Sequence, residues 1–142
     1  MKRFLPVIVV MGVIMLVLLV LTYWEPKRTD TLDGSIWEVT SLNNESLIKE
    51  TTLTIRFHNR KVSGSSGCNT FRGTYAIENE TISIVIIEAT TDNCMNPGIM
   101  EQEREFRHYL EEATEFQQDD TQLTVISENG DLVEFDSMLD DQ

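Results

Sequence analysis

The 142-residue chain is poor in the features that mark most enzymes and nucleic-acid binders. Basic residues are scarce, with 11 Lys and Arg against 24 Asp and Glu and a formal charge of −13. A surface of that sign repels phosphate backbones and anionic head groups and offers no basic stripe for a nucleic-acid footprint, so nucleic acid is excluded as a partner. Cysteine is limited to Cys68 and Cys94, too few and too far apart for a Cys-x-x-Cys zinc site. Ser65-Ser66-Gly67 lacks the Gly-x-Ser-x-Gly spacing of a nucleophile elbow. Of the two histidines, His58 falls in a predicted turn and His108 on a charged helix, and no nucleophile is paired with either in sequence. No EF-hand loop surrounds Asp119-Asp120, or Asp136, Asp140 and Asp141, so neither metal nor cofactor is expected. There is no internal repeat.

What the sequence does have is one long apolar run. From Phe4 to Trp24 there is no charged side chain, and Glu25-Pro26-Lys27-Arg28 follows at once. At about 1.5 Å per residue such a stretch makes a helix of roughly 31 Å, near the thickness of a hydrocarbon core. A cleavable signal peptide is the rival reading, but the run ends in Thr22-Tyr23-Trp24 rather than in small residues, and no cysteine follows it for lipid attachment. The expectation is an uncleaved single-pass transmembrane anchor over 1–24, with membrane contact through residues 4–24. A spacer over 25–31, a folded domain over 32–136 on the extracytoplasmic side, and an acidic tail over 137–142 complete the organisation.

Beyond Trp24 nine Lys and Arg stand against 24 Asp and Glu, enough chain for one acidic domain and too little for two separate cores. In an oxidising compartment Cys68 and Cys94 form a disulfide; in a reducing one they are two buried thiols, and the first is the expectation. The hydrophobic pattern is mostly period two: Trp37/Val39, Leu53/Ile55/Phe57, and Ile82/Ile84/Ile86. His58-Asn59-Arg60-Lys61 reads as a hairpin turn leading to a strand around Val62, and Asn129-Gly130 as a second turn between Gln122–Ser127 and Asp131–Phe135. About seven or eight strands result. One segment has helical periodicity, Gly98 to Ala113, with Asn96 as the predicted cap and Pro97 in the first turn. Ile99, Glu103, Phe106 and Leu110 share its apolar face. The fold class is α+β: a curled antiparallel sheet, partly open and barrel-like, with one amphipathic helix packed on it or plugging it, after a single N-terminal transmembrane helix.

The most distinctive stretch is Val62-Ser63-Gly64-Ser65-Ser66-Gly67-Cys68-Asn69-Thr70-Phe71-Arg72-Gly73-Thr74-Tyr75. It resembles the Gly-x-x-Gly-Cys-Asn-x-Phe-x-Gly-x-Tyr signature of the META domain, or HslJ-like, family. Trp37, the Thr90–Cys94 segment, Met100–Phe106 and the closing Leu123–Val125 and Val133–Phe135 segments resemble its other blocks in order and spacing, over about Leu32 to Phe135. The resemblance implies a small α+β module of a kind commonly exported or lipid-anchored in bacteria, in some members linked to heat shock and novobiocin tolerance. No activity is firmly attached to the family. This chain departs from the lipidated members in its apolar run.

Two readings of the motif follow. Structurally, Cys68 reaches Cys94 while Asn69 satisfies backbone groups in a tight turn. Functionally, Gly64, Gly67, Asn69, Phe71, Gly73 and Tyr75 form the rim of a ligand groove, since glycines permit close approach. The expected function is a non-catalytic envelope module, membrane-tethered, that binds an envelope protein or supports the cell surface under stress. The alternative is a small hydrophobic ligand or lipid held in the sheet, and a hydrolase is the third reading.

Overall fold

A computed structural model describes residues 5–23 and 30–138. The apolar run forms helix α1, Leu5–Tyr23, 19 residues long. Its side chains from Val10 to Leu19 include nine large apolar groups that stand exposed, so no face of this stretch is reserved for packing on the domain. No helix among the described residues is long and apolar enough to cross a membrane. The transmembrane span expected over 1–24 is thus not supported, and Phe4 and Trp24 of the apolar run lie outside the described residues. The spacer expected over 25–31 lies mostly outside the described residues, which resume at Asp30.

From there the period-two pattern becomes nine strands: β1 Ile36–Leu42, β2 Glu45–Ser46, β3 Leu53–His58, β4 Lys61–Ser66, β5 Thr70–Glu78, β6 Thr81–Ala89, β7 Ala113–Gln118, β8 Gln122–Ser127 and β9 Leu132–Ser137. Helix α2, Ile99–Glu111, is inserted between β6 and β7. The sheet is antiparallel throughout, in the order β2-β1-β3-β4-β5-β6-β7-β8-β9, and β1 also pairs with β9. Eight strands therefore close into a barrel and β2 is an extra strand on its margin. The barrel has one thin seam. β6 and β7 share a single register pair, Thr81 with Glu115, supported by Phe116 N donating to Glu80 O at 3.0 Å.

Local chemistry explains the hairpins. Asn59 and Arg60 both take left-handed φ, at 51° and 60°, as do Asn43 and Asn44, at 49° and 65°. Two consecutive left-handed residues match the twist of the flanking strands, which is why such pairs make tight two-residue hairpins. Gly130, φ 86°, serves the β8–β9 turn. The strand missed by sequence reading is β7, whose burial runs Ala113 in, two out, Phe116 in, two out, with a bulge between Ala113 and Glu115. Without alternation it carries no period-two signal. β2 is two exposed residues and has no signal at all.

Alternate side chains fill the barrel. Trp37, Leu53, Ile55, Phe57, Phe71 and Phe135 are among its essentially inaccessible members. Phe57 meets Tyr75 edge-on at 4.9 Å. α2 lies across one end, contacting β4, β6, β8 and β9. It sends Phe106 against Phe71 (5.9 Å) and Phe135 (6.4 Å). The predicted apolar face is thus the buried one, but the predicted cap is not formed. Gly98, φ 85°, is the N-cap residue with no side-chain cap, and Asn96 supplies only a carbonyl to Ile99 N. The helix opens two residues later than the sequence predicted, so Asn96 and Pro97 both precede its cap. At the other end, Ala113 leaves the helix for β7. Ser137, expected at the start of the acidic tail, belongs to β9 instead, and the tail's last four residues lie outside the described ones.

Candidate functional site

The Gly64–Tyr75 motif spans β4, the turn after it, and β5. Gly64 pairs with both Ile55 of β3 and Phe71 of β5. A Cβ there would lie 1.9 Å from Thr54 O and 2.9 Å from Phe71 Cζ, so the aromatic ring takes the space that a side chain would occupy. At Gly73 a Cβ would lie 2.0 Å from Val85 O, beside the bulge in the β5–β6 pairing. Both glycines are needed because neighbouring backbone passes where a methyl group would stand. Phe71 and Tyr75 point into the core. They are not on a rim.

Between the strands, Ser66 N and Ser66 Oγ both donate to Asn69 O, at 2.8 and 3.0 Å, closing a turn through Gly67 at φ 106°. Asn69 is buried, only 1 % exposed. Its amide nitrogen donates to Asp92 O (3.0 Å) and to Glu103 Oε1 (2.9 Å). Its amide oxygen accepts from Asp92 N (2.7 Å) and Thr90 Oγ1 (2.8 Å). Two donors and two lone pairs exhaust the hydrogen-bonding capacity of the side chain. Glu103, equally buried, also accepts the Asn69 backbone N–H at 2.8 Å and has Arg107 Nη2 at 3.6 Å from Oε1. Cys68 and Cys94 are joined in a disulfide with Cα atoms 5.9 Å apart. Thus the motif, the 90–94 segment and α2 are fastened at one place by a covalent bond and five hydrogen bonds through Asn69.

Sequence reading placed Glu103 on the apolar face of the helix without seeing its role. A carboxylate inside an apolar stripe was the available signal, because such a charge is rarely buried without partners. Its neighbour Gln102 was missed as well: it accepts from Ile48 N (2.7 Å) and donates to Thr51 Oγ1 (3.0 Å), stitching α2 to the β2–β3 loop. Tyr75 OH donates to Asp30 at 2.7 Å, and burial followed by that bond pushes the phenol well above its ordinary range.

The other candidate residues are not gathered. His58, largely exposed, has Asp33 at 3.8 Å and Asn59 Nδ2 at 2.9 Å; His108 has Glu112, the residue that ends the helix, at 3.5 Å. Neither pair includes a hydroxyl group among the described residues. Asp119 is committed to its own turn, accepting from Thr121 N, Thr121 Oγ1 and Gln122 N, and these bonds hold its carboxyl below the usual range. No cluster of three potential metal ligands exists among the described residues. Open surface depressions do, three of them as follows. One runs between β6 and α2 beside Ile86, Arg107 and His108; one lies near Asn79 and Asp119; a third, on the outside of β3–β5, is lined by Arg56, His58, Lys61 and Arg72.

The META domain family model matches residues 30–138. No curated protein matches the chain. Among solved structures, an NMR structure of a protein from Burkholderia xenovorans superposes with a TM-score of 0.68 at 24 % identity, over 82 % of this chain and 90 % of that one. A DUF4847 family protein from Bacteroides vulgatus gives 0.60 at 16 % identity, over 79 % and 98 %. At these identities the likeness is one of fold.

Proposed function

The chain belongs to the META domain family, and on that premise we propose that it is a non-catalytic binding module of the cell envelope, held at a membrane by its apolar N-terminal helix. The observation that carries this reading is the complete use of the motif in holding the barrel shut. With every hydrogen-bonding position of Asn69 occupied inside the fold, the motif is a fastening rather than a reactive centre, and recognition falls to the outer surface. The Cys68–Cys94 bond supports an oxidising, extracytoplasmic setting. The exposed apolar side chains of α1 favour lipid as its surroundings. A role in maintaining the envelope under stress, through a protein partner, is consistent with what the family resemblance implies.

A hydrophobic ligand inside the barrel is disfavoured by the aromatic and aliphatic side chains that already fill it. The test is fractionation of cells producing the full chain, with thiols alkylated before and after reduction. Recovery with membranes, and thiols that alkylate only after reduction, is expected. Recovery from cytosol with both thiols freely titratable would refute the proposal. A partner retained by the full chain but not by a chain ending at residue 29 would identify the ligand of the outer surface.

A further inference from the structure

Between residues 30 and 138 the domain has seven Lys and Arg against 21 Asp and Glu, yet the basic ones are not spread evenly. Four of the seven, Arg56, Arg60, Lys61 and Arg72, lie on or beside the outer face of the β3–β4–β5 sheet. Register explains the cluster. Arg56 is paired across to Ser63, and Ser63 to Arg72, so two guanidinium groups flank a small hydroxyl residue in one row. At about 4.8 Å between strands their stems are roughly 10 Å apart. The next row holds His58 opposite Lys61. Because Ser63 and Gly73 are small, the space between the long arms is an open concavity of about 370 Å³.

No carboxylate forms an ion pair with Arg56, Arg60, Lys61 or Arg72 among the described residues. The nearby acids include Asp33, 3.8 Å from His58, Glu88, which faces Arg72 in the register of β6, and Glu38, two positions along β1 from the Ile36 that faces Arg56. In so acidic a domain, an unpaired basic row is a surface that fits an external anion, and guanidinium pairs match phosphate geometry. The net charge read from sequence, which argued against anionic head groups, averages this patch away.

The position of the patch selects the source of the anion. The chain enters the domain beside the β3–β4 turn: Asp33 Oδ1 accepts from Asn59 N at 2.6 Å, and Gly34 N donates to Phe57 O at 2.9 Å. Only residues 24–29 separate α1 from Asp30, a distance of at most about 25 Å at full extension. We propose that the face carrying Arg56, Lys61 and Arg72 docks on the phosphate groups of anionic lipids and so sets the orientation of the barrel on the bilayer. This rests on the membrane-tethered reading above. The tether keeps a lipid surface permanently within reach, which turns weak individual contacts into an intramolecular equilibrium.

The experiment uses the full chain in lipid nanodiscs containing a lipid with a nitroxide on its headgroup, and reads paramagnetic broadening of backbone amides. With phosphatidylglycerol present, broadening concentrated at residues 56–63 and 70–74 is expected, fading in pure phosphatidylcholine and at high salt. Each of R56S, K61S and R72S is expected to lower the docked population roughly fivefold. All three positions are exposed, so folding is checked by the unchanged amide spectrum of the rest of the barrel. Broadening independent of lipid charge would overturn the proposal. Amide shifts at residues 56–63 and 70–74 on adding inorganic phosphate, with no broadening from the anionic-lipid nanodiscs, would assign the site to free phosphate and overturn the lipid assignment. Failure of the full chain to float with vesicles would instead remove the tether itself, an outcome distinct from docking that fails while the protein stays lipid-bound.

Discussion

Replacing Asn69 by Ala deletes four side-chain hydrogen bonds at a position only 1 % exposed. Each neutral bond contributes about 1 kcal/mol and the one to the Glu103 carboxylate about 2, so the expected loss is about 4 to 5 kcal/mol. That is a large part of the roughly 5–15 kcal/mol by which a domain of this size is stable. Urea unfolding of the oxidised protein, followed by tryptophan fluorescence, measures it. The midpoint is expected to fall with little change in slope, since the surface exposed on unfolding is unaltered. The N69A/E103A double-mutant cycle should give a coupling of about 1–3 kcal/mol, because the two side chains bond directly. N69D is the sharper variant. It replaces the Nδ2 donor with an oxygen about 2.9 Å from Glu103 Oε1, so two carboxylates compete for one proton. The shared proton raises a folded-state pKa, so N69D should recover stability as pH falls toward the carboxylate range, where the parent does not, and N69D/E103Q should recover it at neutral pH. A cost for N69A below about 1 kcal/mol, with the two single changes additive, would refute the claim that this network holds the barrel end shut.

Three further outcomes follow from the same geometry. Removing the disulfide with C68S/C94S should cost about 3.5 kcal/mol, since the bridged residues are 26 apart in sequence, and thermal unfolding with and without reductant checks it. Gly73→Ala forces a methyl group into Val85 O and should cost about 3 kcal/mol or more, whereas Gly130→Ala, in open space at φ 86°, should cost only about 1 to 2 kcal/mol; equal losses in denaturant melts would contradict the backbone-crossing argument. Tyr75, with its pKa raised chiefly by burial and then by the Asp30 bond, contributes stability that is complete below the unfolded value near 10 and declines above it, so alkaline unfolding of the parent should be steeper with pH than that of Y75F.

What the sequence determined is what depends on neighbours a few residues apart. Alternation in Leu53–Phe57 and Thr81–Ile86 reports one face against a core, the helical stripe of α2 reports its buried side, and Asn59-Arg60 and Asn129-Gly130 announce their turns. The motif blocks carry the family resemblance, and the two cysteines the expectation of a disulfide that the fold brings together. Tertiary structure alone decided how the ends meet. Closure of the ring by β1 against β9 joins residues nearly 100 positions apart, and β7 becomes a strand because β8 pairs with it, not because its own side chains alternate. Asn69 and Glu103, 34 residues apart, become partners only when α2 crosses the barrel end. The same limit governs the surface: Arg56 and Arg72 look isolated in an acidic sequence until strand register sets them on either side of Ser63. Local pattern encodes which face a residue takes, while which residues share that face is fixed by pairing across the sheet, a property of distances that the linear chain does not contain.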